Sequence, residues 1–437
     1  MKLLTYSNGL RIIYEKPKSD LPITSIYSFC NLGPAHEPDD MRGISHFIEH
    51  MCFKGTKNKP HPKSIFLLCD KIGAYFNAFT NKRYTCYTIE CEDKHFSDCL
   101  FHLSDMMLNS IFDKKEFAKE LNVVAQENKD DLNDPMEVAE IETHKKLFEG
   151  SSYECPIDHV DYHKKKFDYN KCIELYKLFY TPNNMVLSIS SNLPFEKINS
   201  FVKKSYFYKN TQKHNLSDII QINHYLKPKN EISYNLIKKS GASNNTIIIG
   251  FRTCGFNNPD KYTLILLKNA IGDNMSGRLK YILREEKGLV YSCSIDTQFF
   301  EKFGCLLFVA QTEFKNVIIS NTHGVLPTII QIIRSLIENG IKQTEIDIAK
   351  GNIQGEILLE LQNCSNQALH NGESLLLNEN NNIVSIKNIY DKYYKKINKK
   401  QIDQTIKKYF MSKNMSVCIV GEKNPSLIKV SNICKRI

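Results

Sequence analysis

The order of apolar and polar positions along the chain predicts short strands mixed with amphipathic helices. The first residues read as a strand, a turn at Asn8-Gly9 and a second strand over 10–14. A partly alternating run at 23–32 predicts a third strand, and it leads into the turn-rich loop Gly33-Pro34-Ala35-His36-Glu37-Pro38-Asp39-Asp40. Beyond that loop, Ile44, Phe47, Ile48 and Met51 recur at the three-and-four spacing of a helix with one buried face. Ser45 or a residue before it is the expected cap. A second helix is expected over 63–72, closed by Gly73 as its C-cap. Two strand-like runs rich in Thr and Tyr follow, at 74–80 and 84–90, and then helices at 95–109 and 114–133.

Further along, one construction occurs twice. A helix at 168–180, the turn Thr181-Pro182-Asn183-Asn184 and a strand from Met185 match a helix at 398–410, a turn at 411–414 and a strand from Met415. Asn184-Met185 and Asn414-Met415 stand 230 residues apart, and so do Phe179-Tyr180 and Tyr409-Phe410. Similarity at so long a period predicts a duplicated domain. The same offset carries the helix at 44–51 onto the stretch from Ser276 to Glu286. There Ser276, Leu279 and Lys280 replace His46, Glu49 and His50, so the second copy is expected to lack any site built on those residues. A chain of 437 residues exceeds what one core usually holds. The expected division is a domain at 1–209, a polar, lysine-containing linker at 210–230, and a homologous domain at 231–437.

The chemistry concentrates in His46-Phe47-Ile48-Glu49-His50. Two histidines four apart on a helix project from one face, one turn from each other, where they can share a tetrahedral metal such as Zn2+. Glu49 lies beside them, placed to take a proton from water. This H-x-x-E-H order is the inverted form of a zinc-peptidase helix. A catalytic zinc takes three protein ligands, so one more is needed. Glu120 and Glu127, two turns apart on the helix at 114–133, are the candidates, and the residues alone do not choose between them. Acids on a helix are ordinarily a solvated face; the demand for a third ligand is what raises them above that.

Composition changes this picture little. The apolar fraction of 42% and charged fraction of 24% describe an ordinary globular chain, and no apolar run is long enough to span a bilayer. The first ten residues carry one lysine and no apolar core, unlike a signal peptide. Fourteen cysteines stand singly, without C-x-x-C pairs, which points to reduced thiols in the cytoplasm or another reducing intracellular compartment. The net charge of +10 raises the question of nucleic acid, but the lysines are scattered through polar faces and no nucleic-acid module is present. Neither nucleic acid nor membrane is therefore an expected partner.

Taken together, these stretches resemble the pitrilysin-type (inverzincin) metallopeptidases, closest to the branch of mitochondrial processing peptidase and the short bacterial zinc peptidases. The family signature is H-x-x-E-H, a gap of seventy-six residues and a Glu, and the residue after that gap from His50 is Glu127. The resemblance implies one Zn2+ per chain on His46, His50 and Glu127, Glu49 as general base and Glu120 as accessory acid. Asn77-Ala78-Phe79-Thr80 resembles the family's N-A-x-T strand, whose edge takes up an extended substrate by strand addition. Arg284-Glu285-Glu286-Lys287-Gly288-Leu289-Val290-Tyr291 resembles its R-E-x-x-G-L-x-Y segment, which implies that Arg284 and Tyr291 hold the substrate near the scissile bond. One departure is Arg83, which stands where the family usually has Glu. The implied fold is α+β: two homologous domains, each a mixed, mostly antiparallel sheet with helices on one face, enclosing a chamber. The implied activity is that of a zinc endopeptidase acting on extended peptides or unfolded or precursor segments. The chain is expected to work alone, as a homodimer or beside a related subunit, and truncation at the linker is expected to keep zinc but lose peptidase activity. The alternative is a non-catalytic scaffold or assembly subunit of the same family.

Overall fold

The computed structural model describes residues 1–157, 167–215, 222–378 and 383–437. Part of the expected linker thus lies outside the described residues. The chain forms two compact units, and neither is continuous in sequence. The first comprises Met1–Asn128, Cys155–Asn223 and Ile357–Lys387; the second comprises Lys129–Glu154, His224–Glu356 and Asn388–Ile437.

The first unit is built on a six-stranded sheet. Its strands are β1 (Lys2–Thr5), β2 (Arg11–Glu15), β3 (Ile23–Cys30), β4 (Tyr75–Thr80), β5 (Thr85–Glu92) and β6 (Met185–Ser190), in the order β1-β2-β6-β3-β5-β4. Only β2 and β6 run parallel. The central strands alternate between two apolar faces, as the two-residue period of a strand requires. Ile26, Leu187 and Ile189 enter a core shared with α1 (Ile44–Cys52), α2 (Pro62–Ile72), α3 (Phe96–Leu108) and α4 (Lys114–Asp131). Ile13, Tyr27, Phe29 and Val186 point the other way, against Ala368 and Leu375 of the helix Cys364–Leu377. That helix comes from far along the chain, and it lies so close to β3 that a Cβ on Gly372 would run into the Phe29 ring.

The second unit repeats the arrangement. Its strands are β7 (Ser233–Lys238), β8 (Asn245–Cys254), β9 (Ser292–Phe299), β10 (Phe303–Thr312) and β11 (Met415–Gly421), in the order β7-β11-β8-β10-β9, with β7 and β11 parallel. This is the succession β2-β6-β3-β5-β4 of the first unit, strand for strand. Here too one face is covered by a helix from the other half of the sequence, α5 (Pro135–Leu147). A Cβ on Gly250 of β8 would meet Leu147 at 2.8 Å and Thr143 at 3.0 Å, both on α5. The fold is α+β and internally duplicated, with one helix-bearing segment of each half assigned to the other unit.

One expectation is corrected. The stretch from Ser276 to Glu286 is not the counterpart of α1. In the second unit the element that follows β8 is the helix Asp260–Lys268, continued by a wider helical turn at Asn269–Asp273, and the helical residues 278–286 come after it, in the place of α2. The offset fails because the second unit has more residues between this helix and its last strand, 155 from Asp260 to Met415 against 141 from Ile44 to Met185. From Ile44 to Asp260 is 216 residues, against the 230 between Met185 and Met415. At the shorter offset, Tyr262, Ile265 and Leu266 stand opposite His46, Glu49 and His50, and none of them is a metal ligand.

Candidate metal centre

Helix α1 is held from both ends. Gly43 precedes it at φ +89°, a left-handed conformation that costs glycine little. The cap is supplied by Glu37, not by Ser45. Its two carboxylate oxygens accept from the backbone N–H of Gly43 at 2.7 Å and of Ser45 at 2.8 Å. Burial raises the Glu37 carboxyl above its usual range, and the two backbone donors partly offset that. Along the helix Ile44, Phe47, Ile48 and Met51 are buried, as their spacing predicts. The Phe47 ring meets Phe117 of α4 edge-on, with centroids 4.8 Å apart. That contact, with buried Val124, lays α4 beside the histidines and turns its acids toward them.

The two acids then part. Glu120 is almost wholly buried, whereas Glu127 is half-exposed. Glu120 Oε1 lies 2.8 Å from His50 Nδ1, and its Oε2 lies 2.7 Å from the Lys54 ammonium. Burial pushes the Glu120 carboxyl up, but the hydrogen bonds from His50 and Lys54 outweigh it and leave it below the usual carboxylate range. An ionised carboxylate only accepts, so His50 Nδ1 donates in this contact and the ring turns its Nε2 to the other side. On that side His46 Nε2 is 3.1 Å away and Glu127 Oε2 3.4 Å. Ligand atoms of His46, His50 and Glu127 all lie within 4.8 Å of one another, forming the one group of metal-binding type found among the described residues.

These donors fit Zn2+. Three ligands on a tetrahedral ion at the usual bond lengths stand roughly 3.3–3.5 Å from one another, close to the two separations found here. Glu49, also buried, accepts a 2.6 Å hydrogen bond from the Thr80 hydroxyl at the end of β4. Asn77, Ala78, Phe79 and Thr80 all lie on β4, one of the two edge strands of the sheet, which pairs only with β5 among the described residues. Arg83, in the turn between these strands, places its guanidinium on His36. Burial, and then that guanidinium, push the His36 imidazole well below its usual range. Arg284 and Tyr291 belong to the second unit, where both side chains reach solvent; Tyr291 is 81% exposed.

Three contacts around these residues had no clear signal in the chain. Lys54 is four residues after His50, a spacing that sets it one turn on, but nothing local ties it to an acid 66 residues later. Thr80 was legible as a strand residue and not as the partner of Glu49. Glu37 lies in an irregular loop, where helix-capping patterns do not reach.

The fold is α+β, and His46, His50 and Glu127 form a group that could hold a metal ion. Comparison with known proteins agrees. Residues 21–158 match the family described as Insulinase (Peptidase family M16), and residues 166–353 match the Peptidase M16 inactive domain. The chain belongs to the M16 peptidase family. It is 29% identical over 379 residues to a Bacillus subtilis protein described as an uncharacterized zinc protease, covering 86% of this chain and 88% of that one. It is 27% identical over 209 residues to the beta subunit of the mitochondrial-processing peptidase of Dictyostelium discoideum, covering 47% of this chain and 43% of that one. Among solved structures, a protease from Helicobacter pylori superposes with a TM-score of 0.87 at 18% identity, over 97% of this chain and 99% of that one. No helix among the described residues is long and apolar enough to cross a membrane.

Proposed function

We propose that the protein is a zinc-dependent endopeptidase that cleaves extended peptides or unfolded or precursor segments. The observation that carries the reading is the convergence of His46, His50 and Glu127 within 4.8 Å, with the Glu49 carboxylate held beside them by Thr80. One Zn2+ per chain on those three residues would act as a Lewis acid, polarising the scissile carbonyl and lowering the pKa of water. Glu49 accepts a proton from the attacking water and passes it to the departing amine. The outer edge of β4, along Asn77, Ala78, Phe79 and Thr80, takes up the substrate by main-chain pairing, which asks for an extended chain more than for a particular sequence. Arg284 and Tyr291 are proposed to hold the substrate carbonyl as negative charge develops on it. A partner in the form of a second copy or a related subunit is part of the proposal, as is a reducing compartment, which the scattering of fourteen cysteines without C-x-x-C pairs supports.

The test is Glu49→Gln, compared with wild type by digestion of a peptide library, with and without a chelator, and by metal analysis. Chelator-sensitive cleavage in the wild type, lost in E49Q while about one zinc per chain is retained, is the expected result. A zinc-loaded wild type that cleaves no peptide would favour the scaffold alternative, and undiminished cleavage by E49Q would remove Glu49 from the role.

A further inference from the structure

We propose that Lys54 is a positioning residue of the metal centre, which acts through Glu120 to fix the His50 ring with its Nε2 turned to the metal. The inference rests on the zinc-peptidase reading above and extends it to a residue with no assigned role.

The geometry is a short relay. His50 and Lys54 are four residues apart, straddling the C-terminal end of α1, and both reach the same carboxylate. One oxygen of Glu120 takes His50 Nδ1 at 2.8 Å, and the other takes the Lys54 ammonium at 2.7 Å. The Glu120 side chain is only 4% exposed and that of Lys54 25%, so solvent competes weakly for either contact. A carboxylate so buried has few ways to satisfy its second oxygen, and without Lys54 it is free to rotate away from the imidazole.

The turn that carries Lys54 is itself pinned. The backbone N–H of Lys54 donates to Met51 O at 3.1 Å. Thr56, two residues on, donates its hydroxyl to Asp105 at 2.5 Å, and the Ser110 hydroxyl donates to Met51 O at 3.2 Å. The ammonium therefore has a fixed origin. A group that orients a metal-binding imidazole through a carboxylate alters metal affinity even though it never touches the metal.

The test uses the full chain with K54M, K54R, E120Q and the K54M/E120Q pair. Zinc affinity is read by competition with a chromophoric chelator. The His50 Nδ1–H signal is read in zinc-free protein labelled with 15N-histidine. K54M is expected to bind zinc roughly tenfold more weakly, K54R to recover to within about threefold of wild type, and K54M to add nothing in the E120Q background. The hydrogen-bonded His50 signal is expected in wild type and K54R and lost in K54M. K54Q replaces K54M if the latter does not fold. Unchanged zinc affinity and an unchanged His50 signal in K54M would overturn the inference, and so would additive effects of K54M and E120Q. If the wild type bound no zinc, the peptidase reading would fail, and the His50 signal would still judge Lys54.

Discussion

Around Glu49, three polar side chains are each held by another at hydrogen-bond distance. The Thr80 hydroxyl holds Glu49, Glu120 holds His50, and Lys54 holds Glu120. A hydrogen bond to a charged group contributes on the order of 1.5–3 kcal/mol. Thr80→Val should therefore lower kcat/KM by roughly tenfold or more while zinc content stays at the wild-type level, and Thr80→Ser should recover most of the loss. Peptide cleavage assays beside metal analysis would check this, and a variant that lost zinc instead would show that Thr80 serves the metal and not the base. At this scale the shared face of the two histidines, with Glu49 beside them, was legible from spacing, because helical periodicity is a local property. The different settings of Glu120 and Glu127 were not. One is buried and the other half-exposed, and burial depends on how α4 packs.

Among the elements, helix α3 adds a pH dependence. His102 on α3 is buried, with Nδ1 3.0 Å from the Lys59 ammonium, and its ring lies 5.6 Å from that of Phe76 on β4. Burial, and then the nearby Lys59, lower the His102 pKa from 6.5 to about 4, although Asp105 works in the opposite direction. A histidine depressed in the folded state takes up its proton first in the unfolded chain. Its contribution to stability is thus fully present above pH 6.5 and is lost as pH falls toward 4, on the order of 3 kcal/mol across that window. His102→Gln should lose less stability than wild type between pH 7 and pH 5, measured as unfolding midpoints in urea. Equal losses in the two proteins would sink the assignment. The helices themselves followed the sequence closely: α2 ends at Gly73 with φ +67°, and Asp168 and Asn398 cap the helices that follow them. The start of α1 did not, because its cap is a side chain from a loop six to eight residues upstream.

For the whole molecule, the exchange of segments decides what can fold alone. The helix Cys364–Leu377 covers one face of the first unit's sheet, where Tyr27, Phe29 and Val186 are buried against Ala368 and Leu375. The Arg11 guanidinium donates to Leu375 O at 3.1 Å, and Glu15 accepts from Asn371 and Ser385 at 2.9 Å and 2.6 Å. A chain cut at 223 would strip that cover and leave an apolar face exposed. Residues 1–223 expressed alone should therefore be aggregation-prone and bind zinc poorly, whereas co-expression with 224–437 should restore a soluble, zinc-binding pair. Zinc analysis after size-exclusion chromatography would check it, and a monomeric, zinc-loaded 1–223 fragment would contradict it. The expectation that truncation at the linker keeps zinc is revised on this ground.

The sequence by itself carried the duplication, the α+β class and a helix with His46 and His50 one turn apart, since each is written in periods and offsets along the chain, whereas the choice of Glu127 over Glu120 came from the family resemblance. Tertiary structure alone decided that each half lends a helix-bearing segment to the other unit, that Asp260–Lys268 and not 276–286 stands in the place of α1, and that Lys54 meets Glu120, Thr80 meets Glu49 and Glu37 caps α1. These depend on loop lengths and on packing between residues tens to hundreds apart, for which a single sequence has no local record.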